Sequence, residues 1–422
     1  MVESIAAALR KSSRIGRRRN RPDSVQSLEP EASLAGGEAG LALFYSYLSA
    51  ARDRDVDRKT AIRFLNHATQ AISAARMPPT FYAGFTGVAW AMTHLEGRLA
   101  NSDGEDISAV DEALVKFLGR SPWRSDYDLV SGLVGFGVYA LERLPRPMAV
   151  ECLKRIIDRL EELAKRSSKG ICWFTGPELL TEYELERSPR GCYNLGLAHG
   201  LPGVIALLGA ACAAGVARRK ARTLLEGAVA WLEAQRLPRR SASNFPTHVG
   251  PGIKPAASRS AWCYGDPGIA AALFVAARSV AEPAWERRAV EIALNAAERP
   301  PDEAGVVDAG LCHGAAGLAH IFNRMLQATG EKRLGEAARY WFRRTLEFRR
   351  PGKGIAGFMA WGPGKNRKLT WVTDPGILTG AAGIALALLA AATPIEPEWD
   401  RMLLVSVPTG RLGSRRVAHK KA

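Results

Sequence analysis

Five side chains with chemistry to offer stand at matching places in this chain. Cys263 and Tyr264 precede a glycine in "SAWCYGDPGIAAALF" (260–274). Cys312 and His313 precede one in "GLCHGAAGLAHIF" (310–322), and His199 precedes one in "GLAHGLPGVIALL" (196–208). Two thiols and one imidazole make a soft-to-borderline donor set of the kind zinc takes in tetrahedral geometry. Three protein donors leave a position for an incoming ligand, as catalytic sites do and closed structural sites do not. Cys263 and Cys312 lie 49 residues apart, so no local zinc-finger spacing joins them. If they share one Zn2+ ion with His313, the fold must bring them together.

The elements that could do so repeat. Gly-x-x-Gly opens an apolar helical run seven times, with the first glycine at 37, 84, 132, 200, 265, 314 and 380. Intervals of 47 to 68 residues mark a repeat architecture. Between the apolar runs, segments near 59–76, 106–119, 147–166, 217–236, 284–298 and 331–349 carry apolar residues at helical spacing with charges on the other side. In "PMAVECLKRIIDRLEELAK", for example, Val150, Leu153, Ile157, Leu160 and Leu163 keep that spacing. A helix apolar all round belongs inside and an amphipathic one outside. Seven alternations predict an all-α fold, an α/α toroid of seven inner and about seven outer helices. Glycine allows the inner helices to turn tightly and converge at one end. Three longer intervals leave loops at 169–195, 238–261 and 350–375, and loops of that length in a compact domain are often functional.

The two residues before each first glycine are Ala35-Gly36, Tyr82-Ala83, Val130-Ser131, Ala198-His199, Cys263-Tyr264, Cys312-His313 and Leu378-Thr379. Rotational symmetry turns the thiols, imidazoles and phenol of three adjacent copies toward one end of the barrel. In that company His199 reads as a group with chemistry to do rather than a packed core histidine. Cys152, Cys172, Cys192 and Cys212 read as core filler. His67, His94, His248, His320 and His419 lack the slot position and read as structural or surface residues.

The totals agree with one large globular unit. The 422 residues are 47% hydrophobic and 24% charged, with a net charge of +16. Residues 1–22 contribute +6 of that and 408–422 another +5. The chain therefore divides into a basic N-terminal tail (1–22), a single toroid domain (23–407) and a basic C-terminal tail (408–422). The tails read as solvated segments, compatible with peripheral attraction to an anionic membrane or an acidic peptide. No basic stripe interleaved with aromatics marks a nucleic-acid surface. The charge-free runs 195–217 and 376–393 belong to the repeat and read as core, not as transmembrane segments. No apolar stretch follows the N-terminal arginines, so a secretion signal is not expected. Six cysteines in a chain this long fit reduced thiols and a cytoplasmic location.

The motifs "NLGLAHGLPG", "SAWCYGDPG" and "LCHGAAG" resemble the three signature segments of the lanthionine synthetase C-like family, the LanC-type cyclases. The resemblance covers nearly the whole chain, and "NLGLAHG" favours the bacterial stand-alone branch. It implies that Cys263, Cys312 and His313 are zinc ligands and that His199 and Tyr264 handle protons. It also points to Asp128 in "SDYDLVSGLVG", as a group fixing the His199 tautomer or as a helix N-cap. Arg259, four residues before the first zinc cysteine, is either a binder of substrate carbonyl or a solvated loop charge.

The implied activity is addition of cysteine thiols to dehydroalanine or dehydrobutyrine, forming lanthionine and methyllanthionine rings in a ribosomally made peptide, as in lantibiotic biosynthesis. The implied partners are the dehydrated precursor peptide and the dehydratase and exporter of the same pathway. The early 47- and 48-residue intervals leave no room for the small added domain that some bacterial members carry. A non-catalytic or glutathione-handling protein that holds a thiol on zinc is the alternative. Prenyltransferase-like and glycosidase-like rings want carboxylates facing the cavity, and no slot before a glycine holds one.

Overall fold

The computed structural model describes residues 1–19, 29–74, 77–99, 107–364 and 368–407. The chain enters through α1 (Val2–Arg19) and the single turn α2 (Glu29–Ala32). It then alternates inner and outer helices: α3 (Glu38–Arg52) with α4 (Asp55–Ala74), α5 (Phe85–Leu95) with α6 (Ser108–Leu118), and α7 (Leu133–Arg143) with α8 (Pro147–Leu163). After the short α9 (Glu182–Arg187) come α10 (Leu201–Ala213) with α11 (Arg218–Glu233), α12 (Asp266–Val280) with α13 (Pro283–Glu298), and α14 (Ala315–Thr329) with α15 (Lys332–Glu347). The seventh inner helix is α16 (Ala381–Ala392). Each inner helix packs on its neighbours in chain order, and α16 packs back on α3. The ring closes, and the molecule is an α/α toroid.

The first glycine of every copy is the N-cap of an inner helix. The second has a different duty. At Gly40, Gly87, Gly135, Gly203, Gly268, Gly317 and Gly383, a Cβ would collide with the carbonyl oxygen of the residue six positions earlier. The chain folds back along the first helical turn so closely that any side chain there would push it away. The motif thus makes one turn seven times. Inner helices also approach one another at small residues: a Cβ on Gly137 would strike Leu207 of α10.

The seventh outer position is filled from the other end of the chain. Helix α1 packs on α16, with Ile5, Ala6 and Leu9 buried. The Tyr45 hydroxyl donates to the Ala6 carbonyl at 2.5 Å, and Arg10 pairs with the buried Asp57 at 2.6 Å. The segment expected as a basic tail therefore begins as part of the ring. Residues 20–22 of that segment, His419 and the expected C-terminal tail (408–422) lie outside the described residues.

The three long connections carry short antiparallel pairs. Strands β1 (Lys165–Ser167) and β2 (Gly170–Cys172) form one hairpin, and β5 (Ala360–Pro363) and β6 (Leu369–Val372) another. Between them, β3 (Tyr193–Asn194) pairs with β4 (His248–Val249), joining two of the long connections above α10 and α12. The last described segment enters the barrel from its far end. Trp399, Asp400, Met402 and Leu403 are buried. Its carbonyls at Met402 and Leu403 accept from the Tyr82 hydroxyl (2.7 Å) and the Trp262 indole (2.9 Å). Its charged side chains reach Arg98, Glu142 and His320. A segment that touches residues from four inner copies lies on the axis, and it forms the floor beneath Trp262 and Cys263. Among the described residues no helix is long and apolar enough to cross a membrane.

Candidate metal centre

The slots before the glycines are tied together through the backbone. Ala35 N–H donates to Tyr82, Tyr82 to Val130, Leu129 to Ala198, Ala198 to Cys263, Cys263 to Cys312, Cys312 to Leu378, and Leu378 back to Ala35, at 2.7 to 3.4 Å. Seven hydrogen bonds thus circle the axis, six of them using the slot residue's own N–H. This circle brings residues 263 and 312 into contact, and it sets all seven inner-helix N-termini at one end. Their partial positive charges favour thiolates there.

Cys263, Cys312 and His313 each offer a ligand atom, and these atoms all lie within 4.8 Å of one another. Cys263 is buried and Cys312 half-buried. Donation from Cys312 and His313, with the charge of Arg259, holds the Cys263 thiol well below the ordinary thiol range against the effect of burial. Cys312 is pushed up because it shares its proton with Cys263. Burial opposes charge on His313, yet Asp308 and the Cys263 sulfur raise it to about 9. Protons here occupy the gap between convergent donors, which is where a divalent cation would displace them. The donor set fits zinc. Asp308, 3.5 Å from His313 Nε2, accepts from the backbone N–H groups of Gly310 (3.0 Å) and Trp361 (2.9 Å). It is thereby fixed where it would orient His313 as a ligand.

A cavity of about 720 Å³ lies beside this cluster, lined in part by Asp126, Asp128, His199, His248, Arg259 and Tyr264. His199 keeps 39% of its side-chain surface open, because it faces the cavity rather than the packed wall. Its Nδ1 is 2.6 Å from Asp128 Oδ2, while Asp128 Oδ1 accepts from the Ser131 N–H at 2.7 Å. One oxygen of Asp128 therefore holds the imidazole and the other closes the turn ahead of α7, whose N-cap is Gly132 rather than Asp128. Burial disfavours the imidazolium, but the Asp128 bond and charge outweigh it and raise the His199 pKa. Burial and the neighbouring Asp128 charge push Asp126 up to about 6.

Tyr264 stacks toward His199 with ring centroids 6.0 Å apart. Arg259 is exposed and lines the cavity. Its Nη2 lies 3.5 Å from Cys263 Sγ, where a fixed cation offsets thiolate charge. The strained backbone of Gly265, at φ 118°, lets the chain turn there against the Arg259 carbonyl.

The fold also recruits residues that their types alone do not flag. His248, expected as structural or surface, lines the cavity with its ring 5.5 Å from Tyr264. Asn194 stands between them. Six residues before the first glycine stand Asp126, Asn194, Arg259, Asp308 and Asp374 in successive copies. Asp126, Asn194, Arg259 and Asp308 of that register reach the site, while Asp374 bonds its own turn at Gly376 and Thr379. By contrast, His94 and His320 are buried in ion-paired clusters with Glu142 and Asp400, and Cys152, Cys172, Cys192 and Cys212 are buried, as expected.

Comparison with known proteins agrees with this fold. The chain is 26% identical over 317 residues to "Nisin biosynthesis protein NisC" of Lactococcus lactis subsp. lactis, covering 70% of this chain and 75% of that relative. A solved structure, "Nisin cyclase", superposes with a TM-score of 0.74 at 21% identity, over 94% of this chain and 96% of that one, which speaks for the fold. Residues 30–404 match the family described as "Lanthionine synthetase C-like protein". A match over that much of the chain, on a closed ring of seven inner helices, assigns this protein to the lanthionine synthetase C-like family.

Proposed function

We propose that the protein is a zinc-dependent peptide cyclase that adds cysteine thiols to dehydroalanine or dehydrobutyrine in a dehydrated precursor peptide. The observation that carries this reading is the three donor atoms within 4.8 Å of one another, beside a cavity that holds the His199–Asp128 pair. Each ring closure forms one S–Cβ bond, breaks the alkene π bond and moves the thiol proton to Cα, with no change in mass.

When bound to Cys263, Cys312 and His313, zinc would hold the substrate sulfur as a thiolate, its charge already offset by two protein sulfurs. Ionisation alone contributes little: a thiol of pKa ~8.5 loses its proton at neutral pH for about 2 kcal/mol. Alignment of sulfur and alkene contributes more, up to roughly 7–11 kcal/mol, so the cavity's main work is to choose which thiol meets which alkene. His199, fixed by Asp128, carries the proton, either as the acid that delivers it to Cα or as the base that takes it from the thiol. Tyr264 hydrogen-bonds the enolate oxygen that develops, and Arg259 balances charge at Cys263. A dehydratase of the same pathway supplies the alkenes and an exporter removes the product. The work is assigned to the cytoplasm, with peripheral docking to a membrane through basic segments.

The test is incubation of zinc-loaded protein with a dehydrated precursor peptide, followed by thiol alkylation and mass spectrometry. Cyclisation removes one alkylatable thiol per ring at constant mass. If every thiol stays reactive while the peptide binds, the protein is a non-catalytic or glutathione-handling thiol binder instead.

A further inference from the structure

The side chain of Asn194 sits at a junction that the reaction as described does not use. It is buried on β3, where pairing with β4 places it opposite His248. Its Oδ1 accepts the backbone N–H of Gly196 at 2.8 Å. A backbone N–H can only donate, so this bond fixes which end of the amide is oxygen. The amide nitrogen is then turned toward two partners, Tyr264 Oη at 3.0 Å and His248 Nε2 at 3.2 Å. An amide nitrogen carries two hydrogens and accepts nothing, so both partners must accept.

Two consequences follow for the groups that line the cavity. The phenol of Tyr264 receives a hydrogen from Asn194 and keeps its own for a partner on the cavity side. The imidazole of His248 receives one at Nε2, so its proton resides on Nδ1 and the ring is neutral. Burial acts in the same direction, bringing His248 down to about 4. Asn194 itself is locked from behind: a Cβ on Gly196 would crowd the Tyr264 ring and the Cys263 carbonyl, so that glycine lets the strand and the phenol close on each other.

We infer that Asn194 is a positioning residue that sets hydrogen-bond polarity in the site, presenting Tyr264 to the cavity as an obligate donor and holding His248 as the neutral Nδ1–H tautomer. This rests on the cyclase reading for its use, because a donor is what a developing enolate oxygen requires. An acceptor in the same place would turn the phenolic hydrogen away from substrate.

The first measurement needs no variant and no turnover. Side-chain nitrogen chemical shifts of His248 in the wild-type protein should identify the Nδ1–H tautomer at neutral pH. An Nε2–H tautomer would overturn the proposal outright. The second uses Asn194→Asp, which keeps an acceptor for Gly196 but replaces the donor by a carboxylate oxygen. It should move the His248 proton to Nε2 and slow ring closure of a dehydrated peptide about 10²-fold, the usual cost of one lost oxyanion donor, at unchanged zinc content.

Because Asn194 acts through the phenol, Asn194→Asp added to Tyr264→Phe should cost nothing further. Additive losses, or a single Asn194→Asp variant at full rate, would overturn the role. If the wild-type protein forms no thioether at all, the cyclase reading fails, and the tautomer still decides the polarity.

Discussion

The backbone N–H of Cys263 donates to the carbonyl of Cys312 at 3.2 Å. Forty-nine residues of chain separate them, and what joins them is their shared position in a circle of seven backbone bonds. The cluster of donors is thus a property of the ring before it is a property of the side chains. Any neighbouring pair of slots would be held equally close, and only this pair carries two thiols.

The closeness of that circle depends on the second glycine of each motif. In the fifth copy, a Cβ on Gly268 would collide with the carbonyl of Trp262, the residue before Cys263. Since the obstacle is backbone, relief requires moving the slot itself. Gly268→Ala should cost about 1–3 kcal/mol, as overpacking does, and zinc content should fall below one per chain. Gly36, with nothing within 4 Å of its added Cβ, is the control. Gly36→Ala should leave both the melting temperature and metal content unchanged.

Metal loss should leave the fold standing. The core of inner helices is buried without help from the centre, and the seven-bond circle needs no cation. Chelation, or Cys312→Ser and His313→Ala, should lower zinc content, read by elemental analysis, and abolish ring closure. Helical circular dichroism should change little. Unfolding on chelation would instead make the site structural, like a closed zinc site whose binding energy is folding energy.

Much of this was legible in the residues. Seven Gly-x-x-Gly motifs at intervals of 47 to 68 carry the ring, since each glycine answers a steric demand of the same turn. Cys263, Cys312 and His313 were legible as a convergent donor set, because their slots are symmetry-related. His248 escaped because it belongs to no slot. It reaches the cavity through the pairing of β3 with β4, 54 positions from its partner Asn194, and nothing in the local pattern announces that pairing. Asp308 and Asn194 did have a signal, the register six residues before the first glycine, but side chains that bond to turn backbone look like ordinary loop polar groups until the turn is seen. Arg259 is an exposed loop residue by position, and its place in the cavity wall and its contact with Cys263 Sγ emerge only from the fold.

The pairing of His199 with Asp128 makes a pH signature. The folded-state pKa of His199 is raised above its ordinary 6.5, so the charged pair contributes stability that is full below that value and is lost as pH rises through the raised pKa. Asp128→Asn keeps an oxygen for Ser131 but offers His199 an N–H, which forces the ring proton onto Nε2. The stability difference between wild type and variant should be larger near about pH 5.5 than near about pH 9, read by chemical denaturation at each pH. Ring closure should slow by about 10²-fold or more, as loss of a correctly protonated acid or base does. An equal stability difference at both pH values would show that the pair carries no net charge interaction.

The last prediction concerns the helix that the arginine-rich N-terminus concealed. In Val2–Arg19, Ile5, Ala6 and Leu9 stand at helical spacing and are buried at 0–1% exposure, although the segment's composition reads as a solvated tail. The reason is topological. Among the described residues, α16 is followed by the axial segment rather than by an amphipathic outer helix, so its outward face must be covered from elsewhere, and α1 does so. Ile5→Ala should therefore cost about 2–5 kcal/mol, a core penalty rather than a tail one. Deleting residues 1–12 should cost more, because it also strips Arg10 from buried Asp57 and the Ala6 carbonyl from Tyr45. Thermal melts of both variants decide the matter. A deletion variant that melts with the wild type would mean that α1 merely rests on the ring and that α16 tolerates water on its outer face.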